Sequence, residues 1–251
     1  MVITLDKGVL ISYYENMGIT ERQEQILNQV VQEYIESAQP VSSQLLEKKY
    51  DFGIKPAMIR IELQKLTDRG YFFQPHTSAG RVPTDKGYRF FVDNLLNREI
   101  PECEDIFGIE EILGEREDIL KWASRLTKFL AEESSNLAIL HLLERDLFWK
   151  EGWEEILKMP EFEDKDLISD FAKLLENFEK DIENFKINSG IKIYIGRENP
   201  FPKARDFSII SSKCFLPDEE EGIVSLLGPK RMDYDRNIGL MDSLVKLLEK
   251  F

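Results

Sequence analysis

The chain has little of what most catalytic or secreted proteins need. Two cysteines in 251 residues, Cys103 and Cys214, exclude a disulfide framework. With His76 and His141 the only histidines and distant in sequence, neither a zinc-ligand set nor a catalytic triad is supported. There is no Walker loop and no dinucleotide glycine fingerprint. Acidic residues are numerous, yet no pair stands apart from a solvated helix face. An enzyme is therefore not expected, nor are catalytic residues, a metal or a cofactor. No run approaches the length of a membrane-crossing helix. The apolar stretch Val9-Leu10-Ile11 is too short, and its surroundings too acidic, for a secretory signal. Internal repeats and low-complexity segments are missing too. The sparse cysteines fit a cytoplasmic, reducing compartment.

What is there is enough apolar material for real cores, 42% of residues, and an uneven charge. The net charge is −14, which argues against nucleic acid until its distribution is read. Residues 55–89 carry Lys55, Arg60, Lys65, Arg69, Arg81, Lys86 and Arg89 against Glu62, Asp68 and Asp85. The segments before and after are net acidic. A local basic patch can supply phosphate contacts while the acidic remainder repels non-specific DNA.

Periodicity predicts the elements. Thr20-Glu21-Arg22-Gln23 is a capping box, followed by Ile26, Leu27, Val30, Val31, Tyr34 and Ile35 at helical spacing. Gln39-Pro40 ends that helix. Ser42 or Ser43 caps a second, short helix with Leu45, Leu46 and Tyr50 inward, and Asp51-Phe52-Gly53 makes the turn. Pro56 opens a third helix with Ile59, Leu63 and Leu66 buried, and Gly70 supplies a left-handed cap. Strands at Tyr71–Gln74 and Arg81–Val82 follow, then a helix capped by Thr84 with Tyr88, Phe91, Val92, Leu95 and Leu96 inward. Three helices and a hairpin in this order make a winged helix, with the third helix in the recognition position.

Residues 98–109 read as a linker. A helix is predicted over 110–133, carrying Ile112, Leu113, Ile119, Leu120, Trp122, Leu126 and Phe129. Residues 134–143 fit either its continuation or a strand. Helices are predicted over 146–158 and 164–185. Strands are predicted at Ile191–Ile195, Phe207–Ser211 and Ile223–Leu227, and a final helix over Tyr234–Glu249. The fold class is helix-rich α+β, divided into an extension (1–18), a winged helix-turn-helix (19–97), the linker and a C-terminal part (110–251).

The chemistry concentrates between Lys55 and Arg89. Arg60, Ile61, Gln64 and Lys65 lie off the buried face of the third helix. Arginine can pair bidentately with guanine and glutamine with adenine, while Lys55 and Lys65 suit phosphates. At the hairpin tip His76, Thr77, Ser78 and Arg81 cluster with Gly80, expected to permit a tight turn. Such a tip suits a wing on the DNA backbone or in a minor groove. The plainer alternative is a solvated helix face and an ordinary surface turn. Likewise Gly228-Pro229-Lys230-Arg231-Met232-Asp233-Tyr234 reads either as an anion site at a helix N-terminus or, the preferred reading, as a turn with Asp233 capping the final helix and Arg231 tied to a carboxylate. Trp149 and Trp153 are expected to pack between helices.

Several runs resemble one family. They are Thr20 to Gln23, Tyr34-Ile35-Glu36, Pro40-Val41-Ser42-Ser43, Ile59-Arg60, Gly70-Tyr71 and, above all, Gln74-Pro75-His76-Thr77-Ser78-Ala79-Gly80-Arg81-Val82-Pro83-Thr84-Asp85-Lys86-Gly87-Tyr88-Arg89-Phe90. Far downstream stand Pro160-Glu161-Phe162, Ile195-Gly196-Arg197-Glu198-Asn199 and Gly228 to Tyr234, in the same order as in that family. The chain resembles the heat-inducible transcription repressor family HrcA. The resemblance implies a dimeric repressor on double-stranded DNA, at an inverted repeat upstream of chaperone operons. It also implies activity dependent on the chaperonin, and a GAF-like C-terminal domain with an inserted dimerisation region. It makes Ser42, Ser43, Lys55, Arg60, Ile61, Gln64, Lys65, His76, Thr77, Ser78 and Arg81 the DNA-contact candidates.

The chain departs from that family's pattern in three places. It is shorter, with the deficit expected between about 97 and 147, so the GAF-like domain is read as reduced. Ile61 stands where a polar residue is expected. Residues 1–18 precede the usual start. These departures support an alternative: a shortened, non-repressing paralogue serving as an interaction module, by heterodimerisation or chaperonin binding.

Overall fold

A computed structural model describes residues 19–98, 106–114, 118–182, 190–216 and 220–250. The expected extension, most of the expected linker and Cys103 lie outside the described residues. The chain divides after residue 99 into two compact units.

In the first unit, α1 (Glu21–Ser37) opens with the reciprocal capping box: Thr20 Oγ1 accepts from Gln23 N and Gln23 Oε1 from Thr20 N, both at 3.3 Å. Ser42 caps α2 (Ser43–Lys49), and Pro56 sits at the start of α3 (Pro56–Asp68). The end of α3 is a Schellman motif. Gly70 is left-handed at φ 78°, its N–H bonds Thr67 O, and Tyr71 N–H reaches Leu66 O. Tyr71 and Leu66 are both buried, which supplies the hydrophobic contact usual in that motif.

Strands β1 (Phe72–Phe73) and β2 (Val82–Pro83) pair antiparallel, shorter than and slightly displaced from the expected spans. Arg81 instead bridges to Val41, each N–H donating to the other's carbonyl at 2.8–2.9 Å. Thr84 caps α4 (Asp85–Leu96) and also bonds Gly70 O at 2.6 Å. The core is formed by Ile26, Leu27, Val30, Val31, Leu46, Ile59, Leu63, Leu66, Tyr71 and Val92. Four residues expected inward are not fully so. Leu96 is exposed, while Leu45, Tyr50 and Leu95 are half-buried. Phe90 is buried in addition, edge-on to Tyr71.

The second unit is built on one five-stranded antiparallel sheet. Its strands are β3 (Leu137–Leu142), β4 (Leu147–Glu151), β5 (Lys192–Ile195), β6 (Phe207–Phe215) and β7 (Glu221–Pro229), in the order β4-β3-β7-β6-β5. The helices are α5 (Ile106–Gly114), α6 (Ile119–Ser134), α7 (Trp153–Leu157), α8 (Lys165–Asp181) and α9 (Tyr234–Leu248). On one face Leu137, Ile139, Phe207, Ile209 and Leu227 meet Phe171, Leu174 and Phe178 of α8. On the other, α9 packs on β6, with Tyr234 Oη 2.7 Å from Ser208 Oγ, and α6 packs on β3, β4 and α9. Helices on both faces explain why β3 is buried at every position rather than alternately.

Three expectations for this unit are corrected. Residues 146–158 are not one helix. Asp146 takes a left-handed turn at φ 48°, the chain returns as β4 against β3, and only Trp153–Leu157 is helical. Trp149 therefore lies on a strand, while Trp153 packs edge-on to Phe171. The helix expected over 110–133 is two. α5 begins inside the stretch read as linker, and Asp118 caps α6 by accepting from Leu120 N at 2.9 Å. Leu120 consequently points outward and Phe129 is half-buried. Of residues 134–143, left open between helix and strand, Ser134 ends α6 and Leu137–Leu142 form β3.

Candidate nucleic-acid interface

Two polar networks set the helix positions, one holding α3 to α1 and the other holding α2 to α1. Gln23 Nε2 donates to Glu62 Oε2 at 2.5 Å, Lys65 Nζ to Glu62 Oε1 at 2.8 Å, and Arg69 to Gln23 Oε1 at 3.1 Å. The buried Glu62 carboxylate thus ties α3 to the first turn of α1. Burial raises the Glu62 pKa, but the bonds from Lys65 and Gln23 outweigh it and leave the carboxyl below its ordinary value. The second network centres on Glu33 of α1, which is 3% exposed. It accepts from Lys49 Nζ at 2.8 and 2.9 Å and from Tyr50 Oη at 2.5 Å, so it clamps the end of α2. Burial again raises Glu33, and Lys49 and Tyr50 together hold it low. Burial, with Glu33 as hydrogen-bond acceptor, pushes the Tyr50 phenol up to about 12.

With α3 placed, its buried stripe is Ile59, Glu62, Leu63 and Leu66, and the opposite face is exposed. Arg60 is exposed and its Nε donates to Ser43 Oγ at 3.2 Å, joining α3 to the start of α2. Ser42 is occupied as a cap, accepting from Leu45 N at 3.1 Å. Lys55 is exposed at the N-cap of α3, without a side-chain cap bond. Lys65 reaches back to Glu62 and remains half exposed. Ile61 is 46% exposed.

Gln64 and Arg81 meet. Arg81 Nε donates to Thr67 Oγ1 at 2.9 Å and its terminal nitrogen to Gln64 Oε1 at 3.2 Å, while Gln64 Nε2 donates to Asp68 Oδ1 at 2.8 Å. Arg81 therefore fastens the hairpin to α3. Burial lowers its pKa, with Asp68 opposing, and it stays cationic at neutral pH. Thr67 and Asp68 are members of this arrangement that sequence reasoning passed over. Their signal was their place one turn beyond Gln64.

The hairpin tip is held by Gln74, whose Nε2 donates to Thr77 O at 2.9 Å and Ala79 O at 2.8 Å. His76, Thr77 and Ser78 are exposed, and His76 Nδ1 lies 3.0 Å from Ser78 Oγ. Gly80 is required for a different reason from the one expected. Its φ is not positive, but a Cβ there would stand 2.4 Å from Val41 C and 2.5 Å from Pro40 C and O. The glycine allows close backbone approach between the hairpin and the α1–α2 connection.

Elsewhere, the Gly228–Tyr234 run is the turn that was preferred: Asp233 caps α9, and Arg231 pairs bidentately with Glu161 at 2.5 and 2.9 Å. Cys214 is buried and unpaired, and burial pushes its thiol up to about 12. Among the described residues no group of His, Cys, Asp and Glu could hold a metal, and no helix is long and apolar enough to cross a membrane.

The chain thus combines a helix-and-hairpin unit presenting basic and polar side chains with a helix-covered antiparallel sheet, a helix-rich α+β protein. Residues 85–238 match the family model described as HrcA protein C terminal domain, and the chain belongs to the HrcA family. It is similar to the "Heat-inducible transcription repressor HrcA" of Brevibacillus brevis, 27% identical over 92% of this chain and 97% of that protein. The protein of the same name from Natranaerobius thermophilus is 26% identical over 92% and 96%. Both alignments run over 332 positions, more than the 251 residues present, so they contain long gaps on this side. A crystal structure described as that of a hypothetical protein superposes with a TM-score of 0.80 at 23% identity, covering 92% of this chain and 98% of that one, and shows the shared fold.

Proposed function

We propose that residues 19–97 form a winged helix-turn-helix that binds double-stranded DNA, and that the chain represses transcription of heat-shock operons. The observation that carries this reading is the outward face of α3. Arg60 is exposed there and linked to the start of α2, Gln64 is linked to the hairpin through Arg81, and Lys55 and Lys65 flank them. Ser42, Ser43, His76, Thr77 and Ser78 are the backbone-contact candidates, Ser43 through its bond with Arg60. Arg81 acts chiefly as the fastener between wing and helix. The relatives' names support the heat-inducible part of the reading.

A two-fold operator calls for a two-fold protein, so the working form is a dimer on an inverted repeat near chaperone genes. The second unit, read as GAF-like, provides the assembly and the link to chaperonin. The protein acts in the cytoplasm, and the proposed mechanism needs neither catalysis nor a cofactor. A labelled inverted repeat from a chaperone promoter should be shifted by the protein, with affinity falling steeply as salt rises. Arg60→Ala should lose about 1–3 kcal/mol of preference for it over scrambled DNA. Equal affinity of the unaltered protein for both duplexes would contradict the reading.

Ile61 and the gaps in the alignments favour a second reading, a non-repressing paralogue that works by protein contacts. Light scattering alone and in mixture with a full-length repressor separates the two, because a paralogue of this kind forms mixed dimers and leaves the operator unshifted.

A further inference from the structure

Helical spacing puts Ala57, Ile61, Gln64 and Asp68 along one line of α3, directly opposite the buried stripe. The half of that line nearer the N-terminus is apolar. Ala57 is exposed, Ile61 is 46% exposed, and Met58 beside them is 41% exposed. Scattered exposed apolar side chains are ordinary. Here they occupy the part of a recognition helix that meets base edges, and they are flanked by Lys55, Arg60 and Lys65. Cations around a small apolar stripe fit a polyanionic duplex better than an apolar protein groove.

The side chains on this line differ in what they must give up to read DNA. Gln64 has one N–H and one oxygen lone pair engaged, with Asp68 and Arg81, so base pairing there must use the remaining donor and acceptor in the direction those bonds fix. Ile61 has no donor or acceptor and gives up only water. On the floor of a major groove the one apolar group is the C5-methyl of thymine.

We propose that Ile61, backed by Met58, is a specificity-determining residue that reads a thymine methyl group, next to the base pair read by Arg60. This rests on the DNA-binding reading above. The contact selects a thymine at a fixed position in each half-site through apolar burial alone, so hydrogen-bonding groups on that base are irrelevant to it.

Duplexes enriched from a random-sequence pool by the full chain supply the site, and each thymine is then replaced in turn by deoxyuridine, which removes only the methyl. Binding should weaken roughly fourfold at one thymine per half-site, the effect of one lost methyl contact, and be unchanged at the others. Ile61→Asn, whose exposed position spares the fold, should bind the thymine and deoxyuridine forms equally while Ile61→Val keeps part of the difference. If no deoxyuridine replacement matters, or if Ile61→Asn retains the same profile, the methyl-reading assignment is overturned although the protein still binds DNA. If no sequence is enriched, the DNA-binding reading itself falls, and this assignment with it.

Discussion

The two units spend their buried residues differently. In the first, charged and polar side chains lie inside or at the edge of the core, with Glu33, Glu62 and Gln23 each fixing one helix to another. In the second, the core on one face of the sheet is a run of aromatic contacts: Phe171 meets Phe162 at 5.2 Å and Phe207 at 5.0 Å between ring centroids. Apolar contacts hold a sheet firmly but set side-chain direction loosely. Hydrogen bonds are directional, so the small unit uses them where helix angles decide which atoms of α3 face outward. The contrast teaches that helix position in the first unit is specified by charged ties, while one face of the sheet in the second coheres by aromatic burial and its other face keeps buried hydroxyl bonds such as that of Ser208 with Tyr234.

The largest expected effect breaks the aromatic side of this contrast. Phe171→Ala should cost about 3–5 kcal/mol, lowering the unfolding transition of the second unit in calorimetry. DNA binding by the first unit should persist at low temperature. An equal loss in both transitions would show that the units unfold together.

Gly80→Ala attacks the other side. Its Cβ meets Pro40 and Val41 backbone, which cannot move aside as a side-chain tip can, so a cost of about 1–3 kcal/mol or more is expected. The hairpin should shift relative to α3, and amide exchange at Val41 and Arg81 should accelerate. Protection equal to that of the unaltered protein would mean the approach is looser than described.

A pH titration sharpens the comparison further. Glu33 has a folded pKa below its ordinary value of 4.5. Its contribution to stability is therefore complete above the unfolded value and is lost as pH falls through the lowered folded one. The first unit should lose stability below about pH 4.5, and Glu33→Gln should flatten that dependence. The pH profile of the second unit should be unaffected by this substitution.

The smallest effect concerns the fastener. Thr67→Val removes the acceptor for Arg81 Nε and should cost about 0.5–1.5 kcal/mol. DNA affinity should fall by less than with Arg60→Ala. A larger fall would make Arg81 geometry, rather than Arg60 readout, the main determinant.

Much of the first unit was legible beforehand because its signals are local: the Thr20 capping box, Pro56, Gly70 and the Thr84 cap each act within one helical turn. The exposed face of α3, with Arg60, Ile61, Gln64 and Lys65, was legible as the residues off its apolar stripe. Their partnerships were not, since Arg81 and Thr67 are 14 residues apart and Gln23 and Glu62 are 39. The misreading of 146–158 has the same origin. Trp149, Trp153 and Ile156 recur at helical spacing, but pairing with β3 offers residues 147–151 backbone bonds as a strand.

By itself, then, the chain's order of residues determined where helices start and stop, which stripe of each turns inward, and where positive charge gathers. Caps, prolines and apolar period act over a few residues, and any folded context must respect them. The tertiary structure decided that Gly80 serves close approach rather than a turn, that Arg81 and Gln64 hold each other, and that β4 is a strand. Those outcomes depend on atoms brought together from distant positions, where packing distance and hydrogen-bond partners outweigh local preference.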